Sequence, residues 1–152
     1  MTTVVHGLAE LAALVGRDLD PGEWHVITQD RVDMFADATG DHQWIHVDPV
    51  RAAAGPFGAT IAHGYLTLSL IIPLWTDMVR IENVRVAVNY GLDKVRFPTP
   101  VPVGAKVRLH ARLSAVEELT ADSVQASVAF TMELAGAEKP AVAARAVYRY
   151  QF

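Results

Sequence analysis

The stretch "GDHQWIHVDP", residues 40–49, gathers Asp41, His42, His46 and Asp48 in a chain only 20% charged. Such residues suit three kinds of chemistry. His42 and His46 would stand one above the other on a helix and, with Asp41 and Asp48 as oxygen donors, would suit a divalent metal. Asp41 and His46 could instead converge on one water, take a proton from it and deliver one to carbon, because a carboxylate or an imidazole exchanges protons near neutral pH once its surroundings shift its pKa. Trp44 and Ile45 between them would form an apolar wall against bulk water. The plainest alternative is a polar loop in which Asp48 only caps the next helix. Gly40 ends one helical pattern and Asp48-Pro49 opens another, so residues 42–46 are not expected to form a regular helical turn, and the metal arrangement is weakened.

A second polar island, "GATIAHGY", sets His63 and Gly64 at the start of the most apolar segment of the chain. Unpaired N–H groups at a helix start carry the positive end of the dipole and suit a carbonyl oxygen on which negative charge develops. Gly64 would let a substrate approach the backbone closely. Read alone, Gly64 serves tight packing and His63 is a satisfied, partly buried histidine.

These islands need elements to hold them. Thr28 to Thr39 reads as a helix, with Thr28 as cap, Asp30 in the first turn, Val32, Phe35 and Ala36 on one face, and Gly40 as terminator. "DPVRAAAG" reads as a short helix capped by Asp48, and "GPFGAT" as a loop. "IAHGYLTLSLIIPLWTDMV" is apolar on nearly every side and is expected to be a core helix enclosed by other elements, with Pro73 removing one hydrogen bond and kinking or ending it. From Val84 onward apolar residues alternate, predicting strands in "NVRVAVNY", "KVRFPTPV", "AKVRLHARLSAVEE", "SVQASVAFTMEL" and "AVAARAVYRYQF". Helices thus come first and strands second. Strands of about 12 residues, roughly 40 Å long, outreach an 18-residue helix of roughly 27 Å and can curl around it. The expected architecture is α+β: one domain over residues 1–152, with a curved antiparallel sheet wrapped on a long central helix. Its open edges favour a homodimer.

Composition narrows the function. The net charge of −4, with no Lys/Arg run, argues against a nucleic-acid partner. The absence of cysteine excludes disulfides, zinc-thiolate sites and thiol nucleophiles, and is compatible with a reducing cytoplasm. The N-terminus lacks the basic residues of a secretory signal and no apolar run approaches the roughly 20 residues of a membrane span, so a cytoplasmic protein without a membrane partner is expected.

"FADATGDHQWIHVDPVRAA" followed by "GPFGATIAHGYLTLSL" resembles the signature of the MaoC-like, R-specific enoyl-CoA hydratases, and "NYGLDKVRFPTPVPVG" resembles a later strand-loop-strand segment of that family. The resemblance runs from about Thr28 to the C-terminus and implies the hotdog fold and a homodimer. It also implies reversible addition of water to a trans-2-enoyl-CoA thioester, giving the (R)-3-hydroxyacyl-CoA, with neither metal nor organic cofactor. By motif, Asp41 and His46 would activate the water and handle the proton, while the Gly64 N–H would polarise the thioester carbonyl. Gly58, His63, Trp44, Asn89 and Arg96 are the substrate-binding candidates. Asn89 with Tyr90 is expected at a strand end, and Arg96 near the pantetheine channel. The chain departs from many relatives where Gln43-Trp44 replaces Asn-Pro. Three rival readings remain: a hotdog acyl-CoA thioesterase, a non-catalytic acyl-CoA-binding subunit and a metal-dependent hydrolase.

Overall fold

The computed structural model describes residues 1–152 and orders the elements as β1 (Thr3–His6), α1 (Leu8–Ala13), β2 (His25–Val26), α2 (Gln29–Thr39), α3 (Trp44–Val47), α4 (Pro49–Ala53), α5 (Gly64–Met78), β3 (Val79–Glu82), β4 (Val86–Arg96), β5 (Lys106–Thr120), β6 (Ser123–Leu134) and β7 (Val142–Gln151). Alternating hydrophobicity builds the sheet. Val107, Leu109, Ala111 and Leu113 of β5, and Val124, Ala126, Val128, Phe130, Met132 and Leu134 of β6, all point into the core, while Lys106, Arg108, His110 and Arg112 face outward. The five strands lie in the order β2-β5-β6-β7-β4, with every neighbouring pair antiparallel. The sheet curls into a half-barrel, as the sequence resemblance implies.

Helix α5 lies against the inner face through Leu66, Ile71, Leu74, Trp75 and Met78. Trp75 meets Phe130 edge-on at 5.5 Å between ring centroids, and its indole N–H donates to the Tyr150 hydroxyl at 3.1 Å. A large aromatic side chain thus joins helix to sheet without leaving its polar atom unpaired in the core. Burial raises the phenol pKa values of Tyr148 and Tyr150, so both stay protonated.

The expected caps form. The Thr28 hydroxyl accepts from Arg31 N–H, the Asp48 carboxylate accepts from Arg51 N–H with Pro49 opening α4, and Gly40 closes α2 at φ 76°. Other expectations need correction. The N-terminal half contains strands too: β1 pairs in parallel with β3, tying the chain start to the end of α5, and β2 pairs with β5. "NVRVAVNY" and "KVRF" are one strand, β4, because bulges at Tyr90 and Asp93 absorb the break in alternation. Asn89 and Tyr90 therefore lie in mid-strand. Residues 44–47 do form a helical turn, α3, from which His42 is excluded. Helix α5 continues through Pro73 rather than ending there; the proline lies on the exposed side and, as expected, offers no N–H to the carbonyl of Ser69 one turn back, which is exposed too. That side also carries Tyr65 and Ile72, so the helix is only partly enclosed by its own chain.

Leu109 has no solvent exposure and lies on the β5 face beneath α5. Leu109→Ala should cost about 2–5 kcal/mol of unfolding free energy, measured by urea denaturation; a loss below about 1 kcal/mol would contradict this packing.

Candidate active site

The αL turn at Gly40 reverses the chain out of α2, so Asp41 starts the connection to α3 and remains solvent-exposed. One turn of α3 then carries His46 inward until only 7% of it is exposed. There the imidazole meets the segment that leads into α5. A carbonyl only accepts, so the 2.6 Å contact between His46 Nδ1 and the Ile61 oxygen places the proton on Nδ1 and leaves Nε2 as a free lone pair. The reciprocal backbone bond, Ile61 N–H to the Ile45 oxygen at 3.0 Å, holds the two segments in register.

His63 completes the tether. It precedes the first residue of α5, and its Nε2–H donates to the Asp41 main-chain oxygen at 2.9 Å. Its Nδ1 is buried and has no hydrogen-bond partner in the protein. The His63 ring stacks on that of His46 at 3.8 Å between centroids with a 24° tilt, and Phe35 packs against His63 at 4.9 Å with its ring tilted by 54°. Burial, the dominant cause, together with the adjacent His63 ring, holds the His46 pKa below the ordinary imidazole value, against the opposing pull of the Ile61 hydrogen bond and the Asp41 charge. His46 is therefore a neutral base at neutral pH.

A carboxylate oxygen of Asp41 and one ring nitrogen each from His46 and His63 lie within 4.8 Å of one another. These are metal-ligand types, but ring lone pairs lie in the ring plane, and two nearly parallel stacked imidazoles direct theirs side by side rather than to one point. The arrangement does not fit a Zn–N distance of about 2.1 Å to both. His42, the other histidine of the metal reading, instead pairs with Asp37 at 2.8 Å on the surface, and that contact raises its pKa.

His46 and Gly64 share a cavity of about 220 Å³, bounded also by Thr67, Phe97, Val101 and Ala141. Gly64 is the first residue of α5, so its N–H has no acceptor within the helix, and the caps and loops supply none. A Cβ at Gly64 would lie 3.2 Å from the Phe97 ring, so glycine allows the aromatic wall and the helix start to meet. The cavity is thus lined both by a histidine whose Nε2 is a free proton acceptor and by a residue whose N–H is unpaired.

The remaining candidates fall elsewhere. His63 lies behind His46, and Trp44 packs on Gly55, where a Cβ would come within 2.9 Å of its ring, and under the Arg51 guanidinium at 4.4 Å. Gly58, at φ 71°, shapes the exposed loop between α4 and the site. Asn89 borders a separate cavity of about 120 Å³ with Leu68, Ile72, Leu92 and Tyr148. Arg96 is exposed and bonds only the neighbouring Val95 oxygen. Three residues at the site were not singled out from the sequence. Phe97 directly follows Arg96 in "KVRF", so its place beside a candidate was the available signal. Gln29 meets His46 across 17 positions and Thr60 across 31, separations that leave no local pattern.

Because the folded protein holds the His46 pKa below 6.5, the unfolded chain takes up this proton more readily. The stability tied to neutral His46 is full above pH 6.5 and is lost as pH falls from there through the folded-state value. His46→Gln should remove that part of the acid dependence of the urea midpoint; an unchanged dependence would show that His46 is not held neutral by the fold.

The MaoC like domain family matches residues 10–133. The chain is 54% identical over 143 residues to 3-hydroxyacyl-thioester dehydratase Z of Mycobacterium tuberculosis, covering 94% of this chain and 95% of the relative. It is 42% identical to Nodulation protein N of Rhizobium leguminosarum, covering 95% and 91% of the two chains. Among solved structures it resembles the (R)-hydratase from A. caviae involved in PHA biosynthesis, with a TM-score of 0.69 at 25% identity, covering 86% of this chain and 96% of that one. The match over most of the sequence, together with the curled sheet on a central helix, makes this chain a member of the MaoC-like dehydratases, hydro-lyases of the hotdog fold.

Proposed function

We propose that the protein reversibly hydrates trans-2-enoyl-CoA thioesters to (R)-3-hydroxyacyl-CoA in fatty-acid metabolism. The observation that carries this reading is the shared cavity of His46, whose Nε2 is free, and the unpaired Gly64 N–H. The relatives named dehydratase and (R)-hydratase support the same chemistry.

In the hydration direction a water sits between the Asp41 carboxylate and His46 Nε2. Its oxygen bonds to the β carbon while the dyad takes one of its protons. The double-bond electrons move to the α carbon and onto the thioester oxygen, where the Gly64 N–H stabilises an enolate-like charge absent from the substrate. The dyad then returns a proton to the α carbon, so that one water is added in total. Asp41 and His46 exchange protons as a coupled pair, and the steps belong to the dyad rather than to either residue alone. The 220 Å³ cavity behind Phe97 would take the acyl portion next to the thioester, leaving the carrier outside.

The same reading makes the protein a homodimer of the cytoplasm. Strand β4 is an edge with Val86, Val88, Tyr90 and Leu92 exposed, and α5 exposes Tyr65 and Ile72 beside it. An uncovered strand edge flanked by apolar residues is a surface that a second copy would bury. Ile72→Asp should convert a dimer into a monomer by sedimentation velocity; a wild-type chain that sediments as a monomer would refute the assembly.

Asp41→Asn and His46→Gln should each lower hydration of crotonyl-CoA by roughly 100-fold or more while circular dichroism stays that of the wild type. Loss of the conjugated enoyl absorbance follows the reaction, and a thiol reagent checks that no free CoA appears. Near-normal turnover in either variant would remove the dyad, whereas thiol release would make the enzyme a thioesterase.

A further inference from the structure

The side chain of Gln29, the first residue of α2, lies between that helix, α3 and the segment before α5. Its amide nitrogen is 2.7 Å from the His46 main-chain oxygen and 2.9 Å from an Asp33 carboxylate oxygen, and its amide oxygen is 2.7 Å from the Thr60 hydroxyl. Two of these partners only accept, which fixes the amide orientation: both N–H groups are spent on His46 and Asp33, and the oxygen must receive the Thr60 proton. Thr60 is 4% exposed and immediately precedes Ile61, whose carbonyl holds His46 Nδ1–H. Gln29 therefore grips His46 twice, directly through its backbone and indirectly through the neighbour of its ring acceptor.

We infer that Gln29, with Thr60, is a positioning residue for the catalytic histidine, fixing the distance from His46 Nε2 to the water and to the Gly64 N–H. The inference rests on the assignment of His46 to the dyad. No other side chain in the structure hydrogen-bonds both the backbone that carries the base and the segment that orients its ring. Neither Gln29 nor Thr60 lines the cavity, so their loss acts through His46 and leaves substrate contacts in place. A carboxylate at position 29 has a similar shape but would set negative oxygens against the His46 carbonyl and Asp33. Gln29→Glu should therefore fail where a purely space-filling role would tolerate it.

The test compares Gln29→Leu, Gln29→Glu, Thr60→Val and Thr60→Ser, each combining crotonyl-CoA kinetics with an NMR titration of the His46 ring. The groups facing His46 are His63, stacked on it, and the Asp41 carboxylate, with Asp33 beyond the Gln29 amide. The expected result is a kcat lower by roughly 10- to 100-fold in Gln29→Leu, Gln29→Glu and Thr60→Val with little change in KM, because a base displaced by a fraction of an ångström loses its line to the water. Thr60→Ser, which keeps the hydroxyl, should retain wild-type rates. The titration midpoint of His46 should rise toward the ordinary imidazole value in the impaired variants as the loosened ring gains solvent. If Gln29→Leu does not fold, Thr60→Val carries the same comparison. Wild-type kcat or an unmoved His46 titration in the folded variants would overturn the inference. The titration needs no turnover, so a wild-type enzyme inactive on enoyl-CoA would refute the proposed reaction, whereas an unmoved midpoint would refute the role of Gln29.

Discussion

The hydrogen bond from His46 Nδ1–H to the Ile61 carbonyl is the contact on which the site depends. It selects one tautomer, leaves Nε2 unprotonated, and anchors a single helical turn to the strand-like segment that delivers α5. The Ile61 amide bonds back to Ile45, and the segment continues by pairing Ala62 N–H with Val101 at 2.8 Å and Val103 N–H with Thr60 at 2.8 Å. The base is thus fastened to the same rigid backbone that ends at the free N–H of Gly64. His46 and the Gly64 N–H are held on one frame, which in the proposed reaction would limit the reorganisation left for the moment of catalysis.

Burial sets the chemistry of that frame. A histidine on the surface would be partly protonated near neutral pH, and a protonated ring could not accept a proton from water. Here the helix start, the His63 ring and the loop exclude solvent on one side of His46, while Asp41 stays exposed, so the proposed dyad would join a desolvated imidazole to a solvated carboxylate. Two glycines make room for this packing, each beneath an aromatic ring: Gly64 under Phe97 and Gly55 under Trp44. The second pairing gives the Gln43-Trp44 departure a physical sense. The large ring at position 44 is seated on α4 by Gly55 and Arg51, outside the lining of the cavity that His46 and Gly64 share.

Much of this organisation was legible in the sequence because it rests on local rules. Thr28, Gly40 and Asp48-Pro49 mark helix ends through short-range hydrogen bonds and backbone preference, and the alternation in β5 and β6 reports directly which face is buried. The convergence of Asp41, His46 and the start of α5 came from family resemblance, since spacing alone left a metal site, a dyad and a plain loop open. What stayed hidden depends on distant partners or on irregular backbone. The bulges at Tyr90 and Asp93 merge two apparent strands into one, and β1 has no meaning until its pairing with β3 exists. Phe97, Gln29 and Thr60 acquire roles only through contacts made by folding. The pairing of His63 with His46 was likewise invisible, because stacking across 17 positions has no periodic signature.

In the proposed reaction Asp41 and His46, whose ligand atoms lie within 4.8 Å of each other, would approach the substrate from one side while the Gly64 N–H holds the thioester oxygen. Oxygen and proton should therefore reach the same face of the double bond. Hydration of crotonyl-CoA in D2O, with the product read by proton NMR and its configuration checked with a stereospecific dehydrogenase, tests this most directly. The expected product is (R)-3-hydroxybutyryl-CoA bearing a single α deuterium in the diastereomer of syn addition. Anti addition or scrambled deuterium would contradict delivery of water and proton by one fixed dyad, and an S product would contradict the proposed facial selectivity.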